Sequence, residues 1–249
     1  MEKTQKINLA IFLAFIALVI PLSYVLGSDF MGKQEKPWHM QDAIHEDSLS
    51  QEYLHKYTIL DKVPVALQVE LHKEKRVLIL IDAWGVPINE SRLEKEFNIF
   101  SHLPHQFFIH KRLSNRTKHA EHVEFRKNFS DAVYIFGGDS LDYGRKEYVP
   151  TLGYTEQFYC QKCSDSAMIV HLDSMLSETQ FNTIAWTTQD SRQGDEDKLI
   201  SLLKNIANLA EKHSTVQFVI QGAHRPILGS PEKRRECYAH WVPVVTVNP

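Results

Sequence analysis

The stretch from Val77 to Pro87 reads VLILIDAWGVP, and it decides the fold class predicted for the chain. Its first five residues are aliphatic without a polar position, which is typical of a strand covered on both faces. The run stops at Asp82, where a parallel strand would present its carboxyl end to a ligand. The stretch therefore predicts a buried strand with an acidic residue at the functional edge of a sheet.

Short apolar runs alternate with amphipathic stretches through the rest of the chain, and this alternation predicts an α/β domain. We expect a doubly wound, mostly parallel sheet flanked by helices. The predicted strands are Val77–Ile81, Ala132–Phe136, Met168–Leu172, Thr183–Trp186, Val216–Ile220 and Val242–Val247. The predicted helices are Asn89–Phe100, Arg116–Asn128 and Glu196–His213, the last with Asp195 as its N-cap.

Acidic, glycine and histidine residues gather directly after these strands. Asp82 follows the first strand, Asp139 follows the second, Asp190 follows the fourth, and His224 with Arg225 follows the fifth. Because the carboxyl ends of parallel strands meet at one edge of the sheet, we expect a binding site there. Glycine and aspartate also favour ordinary loops, so this pattern alone does not specify the chemistry.

The N-terminal part of the chain differs from the rest. Ile7–Gly27 is a run of 21 residues without a charge, long enough to cross a bilayer as a helix. Lys3 and Lys6 precede it, which favours a cytoplasmic N-terminus and an extracytoplasmic, periplasmic location for the remainder. The alternative is a cleaved signal peptide. The predicted organisation is a cytoplasmic tail at 1–6, a single-pass transmembrane anchor at 7–27, a stalk or linker at 28–70 and the α/β domain at 71–249.

The composition limits the classes of function. The chain has 249 residues and a formal net charge of −3. This is the size of one well-buried domain. We expect no nucleic-acid partner, because such proteins carry a basic face or stripe.

The three cysteines are too few for a disulfide scaffold. Cys160 and Cys163 form one C-x-x-C, which outside the cytoplasm favours a local disulfide. Half of a zinc site is the weaker interpretation, because the sequence holds no second cysteine pair. Cys237 is expected to be free or buried.

Four segments, in this order, resemble the alkaline phosphatase superfamily, in particular its sulfatase-like branch of phosphoethanolamine transferases and lipoteichoic acid synthases. Val77–Pro87 resembles the family's opening strand with its acidic metal ligand, and Phe136–Phe158 resembles a Gly-Gly segment followed by an aromatic–Arg–Tyr–Leu–Gly stretch. Thr215–Leu228 resembles the strand before a Gly-Asp-His-Gly metal motif, and Tyr238–Pro249 resembles the closing strand that a histidine precedes.

The resemblance implies a hydroxyl nucleophile at a helix N-terminus that also binds a divalent metal, Mn, Zn or Mg. Thr117 is the best candidate and Ser114 is the next. The residues alone also allow Ser114 or Asn115 to serve only as a helix cap. Beside Thr117, Asp82 and His224 are the implied catalytic residues. The implied metal ligands are Asp82, Thr117, His224 and Asp190, and the implied substrate contacts are Arg116, Arg225, Asp139, Arg145 and His240.

The chain departs from the family pattern at the metal motif, where Ala223 stands in place of the aspartate and Arg225 in place of the glycine. The loss of an anionic ligand weakens a site for a hard divalent cation. Two functions are therefore expected. One is a membrane-anchored, extracytoplasmic transferase or hydrolase of a phosphate or sulfate ester linked to a lipid or glycan. The other is a non-catalytic binding or scaffold domain of the cell envelope, with the same fold and a degenerate metal site.

Overall fold

The computed structural model describes residues 48–69, 73–126, 131–138, 144–154, 156–178, 181–190, 194–227 and 231–249. These residues belong to one compact unit, Glu46–Pro249. The predicted anchor at 7–27 and the predicted substrate contact Asp139 lie outside the described residues. No helix in the described ranges is long and apolar enough to cross a membrane.

A single eight-stranded sheet organises the described part of the chain. Its strands are β1 (Thr58–Leu60), β2 (Arg76–Ile81), β3 (His105–Lys111), β4 (Ala132–Gly138), β5 (Glu156–Gln161), β6 (Thr183–Thr187), β7 (Gln217–Gly222) and β8 (Trp241–Val247). The spatial order is β1-β3-β8-β7-β2-β6-β4-β5. Strand β8 runs antiparallel to both of its neighbours, and the other pairs are parallel. The predicted α/β class with a mostly parallel sheet is confirmed.

Helices connect and flank the strands. They are α1 (Gln51–Lys56), α2 (Glu90–Asn98), α3 (Thr117–Glu124), α4 (Arg145–Tyr148), α5 (Asp165–Ser177), α6 (Glu196–Lys212) and α7 (Pro231–Arg235), with 3₁₀ turns at Val65–Leu67 and Val149–Leu152. The best-predicted of these is α6, because its apolar residues recur at helical spacing and face the core. Its predicted N-cap is confirmed, since the Asp195 side chain accepts a hydrogen bond from the Lys198 backbone N–H at 3.2 Å.

The central strand β2 separates two hydrophobic cores. Val77, Ile79 and Ile81 belong to one core, and Leu78 and Leu80 belong to the other. Successive side chains of a strand point to opposite faces, so an uninterrupted aliphatic run serves both cores at once. Helices cover both faces of the strand, as the sequence predicts.

One predicted strand is wrong, because Met168–Leu172 lies inside helix α5. The five residues are mostly apolar, with His171 as the one polar position, and such a composition also suits a buried strand. A strand would bury Met168, Val170 and Leu172 on one face, yet Val170 is 68% exposed. The buried residues Met168, Leu172 and Leu176 follow each other at four-residue spacing, which is the spacing of one helix face.

The predicted linker at 28–70 also needs correction where the structure describes it. Within residues 48–69, α1 packs on the domain and β1 extends the sheet by pairing with β3. Tyr53 anchors α1, since its ring is buried and its hydroxyl donates to the Pro87 carbonyl oxygen at 2.5 Å. The segment appears irregular in sequence because its apolar residues are few and widely spaced, although several of them enter the core.

Candidate functional site

Three side chains that are distant in sequence meet at the carboxyl edge of the sheet. Thr117 Oγ1 lies 2.9 Å from Asp82 Oδ1 and 2.9 Å from His224 Nε2. His224 Nε2 and Asp82 Oδ1 are also 2.9 Å apart. Asp82 and His224 are buried, and Thr117 is partly exposed. The site is thus a compact triangle of two oxygens and one nitrogen that opens to solvent on the threonine side.

Asp82 is positioned by the end of β2 and by a close approach to β7. Its backbone N–H donates to Thr188 Oγ1 at 3.1 Å, which ties it to the segment after β6. The next residue, Ala83, has a φ of 62°, so the chain turns sharply after the aspartate. This turn brings the Trp84 carbonyl oxygen against Gly222, where a Cβ atom would lie 1.8 Å from that oxygen. Glycine is therefore required at position 222 for the turn after β2 to approach the end of β7.

Thr117 is the first residue of α3, and Arg116 occupies the N-cap without a side-chain hydrogen bond to the helix. The structure therefore contradicts the alternative that Ser114 or Asn115 caps this helix. The first backbone N–H groups of a helix have no partner within it and carry partial positive charge. An anionic group beside the Thr117 hydroxyl would face these N–H groups.

Two buried carboxylates hold α3 in place. Glu121 Oε1 accepts hydrogen bonds from Arg145 Nε and from the Tyr134 hydroxyl, both at 2.9 Å. Glu124 forms a buried ion pair with Arg112 and accepts the Val65 backbone N–H at 2.7 Å. Residues 117, 121 and 124 share one helix face. The face that presents the threonine is therefore also the face that is fixed to the sheet.

A contact with a backbone carbonyl oxygen decides which ring nitrogen of His224 carries a hydrogen. His224 Nδ1 lies 2.6 Å from the Arg225 carbonyl oxygen, which can only accept, so Nδ1 carries a hydrogen. In the neutral ring Nε2 then presents a lone pair toward the Asp82 carboxylate and the Thr117 hydroxyl. Two lone-pair atoms at 2.9 Å repel each other unless a proton or a metal cation lies between them. The triangle is thus suited to holding positive charge.

These donors fit a divalent metal as a three-ligand site. With ligand bonds of about 2.1 Å, adjacent donors of an octahedral site are about 3.0 Å apart. The three distances of 2.9 Å agree with that spacing. A carboxylate, an imidazole and a hydroxyl suit Mn²⁺, Zn²⁺ or Mg²⁺. Ala223 offers no side-chain ligand, because it carries only a methyl group, and it belongs to a hydrophobic core.

Asp165 is a buried acidic residue whose pKa is influenced by Asp82, and the strand pattern does not predict its place. Its buried carboxylate accepts backbone hydrogen bonds from Gln189 and Asp190, the latter at 2.7 Å. Burial is the largest of the effects that together raise the pKa of Asp165 to about 7; the backbone hydrogen bonds from Asp190 and Gln189 lower the pKa, and the negative charges of Asp190 and Asp82 raise it. The sequence predicts a strand at Met168–Leu172 and no helix beginning at Asp165. The sequence signal that could have located it is Ser164, a good N-cap residue, directly before it.

Other predicted site residues have different surroundings. Arg116 is exposed beside Thr117. Arg145 is buried in its ion pair with Glu121. Arg225 Nη1 donates to the carbonyl oxygens of Arg234 and Cys237 at 3.2 and 3.3 Å. Asp190 Oδ2 accepts the Asp165 backbone N–H at 2.9 Å.

His240 directly precedes β8, whose first residue lies at the same edge of the sheet as the triangle, because β8 is antiparallel. The His240 carbonyl oxygen accepts the Arg112 backbone N–H at 2.6 Å. The roles proposed for these five residues stay predictions.

Comparison with known proteins places the fold. No protein-family model and no curated protein sequence matches the chain. Among solved structures, the lipoteichoic acid synthase LtaP from Listeria monocytogenes is similar, with a TM-score of 0.50 and 12% identity over 70% of this chain and 65% of that chain. The match thus covers less than two thirds of the length of LtaP.

Two further similar structures have lower scores. The Streptococcus pyogenes phosphoglycerol transferase GacH, in complex with sn-glycerol-1-phosphate, has a TM-score of 0.46 and 8% identity over 72% of this chain and 69% of that chain. A protein of the alkaline phosphatase superfamily from Vibrio parahaemolyticus has a TM-score of 0.48 and 12% identity over 71% of this chain and 60% of that chain. At 12% identity the likeness to LtaP shows the fold alone, and this is the fold that the resemblance to lipoteichoic acid synthases implies.

Proposed function

We propose that the protein is a phosphate-ester transferase or hydrolase in which Thr117 is the nucleophile and a divalent metal assists. The observation that carries this proposal is the triangle of 2.9 Å contacts between Asp82, Thr117 and His224 at the N-terminus of α3. A hydroxyl at that position is close both to a proton acceptor and to N–H groups that can bind a phosphate.

The proposed reaction has two displacements. The Thr117 oxygen attacks phosphorus while its hydrogen passes to Asp82 Oδ1, with which it is already hydrogen-bonded. The bond from phosphorus to the leaving oxygen breaks, and the departing alcohol takes up that proton. A second hydroxyl, from water or an acceptor alcohol, then attacks the phosphothreonine and returns a proton to Thr117. The backbone N–H groups of α3 and the guanidinium of Arg116 bind the non-bridging phosphate oxygens.

Asp82, Thr117 and His224 are the residues that would hold the metal. When bound, a divalent cation would polarise the Thr117 hydroxyl and neutralise charge on the phosphate. The His224 ring is already oriented for this by its hydrogen bond to the Arg225 carbonyl oxygen. The protein supplies the orientation of the donors and excludes water from Asp82 and His224, which are buried.

The test is turnover of a chromogenic phosphate ester by the purified full chain with and without Mn²⁺. We expect Thr117→Ala to lower kcat/KM at least about a thousandfold, as loss of a nucleophile does in other covalent mechanisms. Ser114→Ala is the matched control, because it removes a hydroxyl from the same loop, and it should leave turnover within about threefold. Equal activity of the Thr117→Ala variant and the unmodified protein would refute the nucleophile.

Ala223 favours a second candidate, a non-catalytic binding domain. In the family pattern this position holds a metal ligand, whereas here its side chain lies in a hydrophobic core. A protein that retains no metal after purification and shows no turnover with added metal would support this candidate over the first. Stoichiometric metal together with turnover that depends on Thr117 would exclude it.

We further propose that Ile7–Gly27 anchors the domain at the extracytoplasmic face of a membrane, next to a lipid- or glycan-linked phosphate ester. The uncharged length of the segment and the preceding lysines support this. Deletion of residues 7–27 should move the protein from the membrane fraction to the soluble fraction. A mature chain that begins near residue 28 in an intact-mass measurement would instead identify a cleaved signal peptide.

A further inference from the structure

Cys160, Cys163 and His171 form a cluster of metal-binding side chains apart from the Asp82 triangle. One ligand atom from each residue lies within 4.8 Å of the others, and Cys160 Sγ is 3.8 Å from His171 Nε2. Two sulfurs and one imidazole nitrogen are a donor set that Zn²⁺ prefers. We propose that these three residues, with the cysteine pair reduced, form a zinc-binding site.

The distances suit this ion. With zinc bonds of about 2.3 Å to sulfur and about 2.05 Å to nitrogen, a tetrahedral site separates sulfur from nitrogen by about 3.6 Å. The observed 3.8 Å between Cys160 Sγ and His171 Nε2 is close to that value. The Cα atoms of Cys160 and Cys163 are 5.5 Å apart, so both side chains can turn toward one point. The sequence shows only the two cysteine ligands, and the fold brings His171 next to them as the third.

A strand, an isolated β-bridge and a helix position the three ligands. Cys160 lies in β5 opposite Gly137 of β4, and Cys163 forms a bridge with Gly138. His171 lies in the second turn of α5, and its ring packs at 4.9 Å from the ring of Phe158. Residues on a strand and a helix keep a more exact geometry than residues on a free loop. The three side chains are partly exposed, so a fourth zinc position is open to a water molecule.

Disulfide formation and zinc binding exclude each other at this pair. The structure contains the Cys160–Cys163 disulfide, in which neither sulfur carries the negative charge of a thiolate ligand. A phosphine reductant opens the bond by taking one oxygen from water, which yields the phosphine oxide and two thiols. Binding of Zn²⁺ then releases two protons, one from each thiol. The zinc site is therefore a property of the reduced protein.

The test is an anaerobic titration of the phosphine-reduced full chain with Co²⁺, followed by Zn²⁺. We expect the near-ultraviolet absorption of a thiolate–cobalt bond to saturate at one equivalent and to disappear when one equivalent of Zn²⁺ is added. His171→Ala and Cys160→Ser should weaken cobalt binding about a hundredfold or more, because even loss of an outer-shell partner costs 10- to 100-fold. The oxidised protein should give no such absorption, and this control requires no substitution.

Cys237→Ser is the matched control for a cysteine outside the cluster, and it should bind cobalt as the unmodified protein does. Thr117→Ala should also retain the absorption, since the Asp82 triangle contains no sulfur. Loss of catalysis in that variant therefore leaves this inference intact. The inference is overturned if the reduced protein shows no thiolate–cobalt absorption, if His171→Ala titrates unchanged, or if Cys237→Ser loses the signal.

Discussion

Asp165 is the residue whose protonation should be most visible in the stability of the protein. Its pKa is raised from 3.8 to about 7 by burial, so the native state keeps a proton that the unfolded chain releases near pH 4. The free energy of unfolding should therefore fall as pH rises from about 4 to about 7. Asp165→Asn carries no titrating proton and should lack this fall. Urea unfolding at several pH values in that range measures the difference.

Asp173 provides a control of opposite sign. Hydrogen bonds from Lys212 and His213 lower the pKa of Asp173, so its contribution to stability is present above the unfolded pKa and is lost as the pH falls. The free energy of unfolding of the Asp173→Asn variant should therefore differ from that of the unmodified protein at neutral pH, and this difference should shrink as the pH falls. Parallel stability curves for the Asp165→Asn variant and the unmodified protein would contradict the assignment at Asp165.

Ala223 permits a direct test of the proposed metal site. Ala223→Asp places a carboxylate in a hydrophobic core, which should lower the free energy of unfolding by about 1–3 kcal/mol without metal. If Asp82 and His224 then share a cation with the new carboxylate, Mn²⁺ should raise the Tm of this variant more than that of the unmodified protein. Ala223→Asn has the same shape without the charge and should not respond. Equal responses of the two variants to Mn²⁺ would argue against a depleted metal site.

At the scale of single residues, the sequence predicts part of the candidate site. Asp82 follows an uninterrupted aliphatic strand and His224 follows a mostly apolar one, so their place at the sheet edge can be inferred from the strands alone. Thr117 could be chosen as a site residue only through the family resemblance, because many hydroxyl residues precede helices. The burial of Arg145 and its pairing with Glu121 could not be inferred, since both depend on how α3 and α4 pack.

Helix α3 is the element whose attachment to the sheet should matter most to the site. Glu124→Gln removes the negative charge opposite Arg112 in a fully buried pair. Such a loss leaves an uncompensated buried cation, and we expect the free energy of unfolding to fall by about 3 kcal/mol. Glu94→Gln is the matched control, because Glu94 pairs with Lys56 at the exposed surface and should cost less than about 1 kcal/mol. Similar costs for the two variants in urea unfolding would contradict this role of Glu124.

The elements that the sequence did not predict share a physical cause. Strands β1 and β5 lie at the two edges of the sheet, and their residues are largely exposed or half-buried. Strand β3 carries histidine and glutamine among its aromatic residues. An aliphatic run identifies only strands that are buried on both faces, which here are the central ones. The remaining strands are defined by the neighbours they pair with, and a local pattern cannot show those neighbours.

For the whole molecule, the domain boundary is the feature that a stability measurement can test. A chain that begins at residue 48 retains α1 and β1, whereas one that begins at residue 71 loses them. The shorter chain exposes β3 and the core surface that Tyr53 and Leu60 cover. Each buried apolar side chain contributes about 1.5–3 kcal/mol, so we expect the shorter chain to be less stable by about 5 kcal/mol or more. Equal midpoints of urea unfolding for the two chains would support the prediction that the α/β domain begins at residue 71.

The position of β8 also governs the order in which the protein can assemble during synthesis. Strands β1 and β3 connect to the rest of the sheet through β8, which pairs with β3 on one side and β7 on the other. Thr117 follows β3, and His224 follows β7, 107 residues further along the chain. A ribosome that has made everything up to residue 240 has therefore produced two portions of sheet without the strand between them. The contacts between Asp82, Thr117 and His224 can therefore be completed only after β8 has emerged, so the nascent chain lacks the assembled triangle for most of its synthesis.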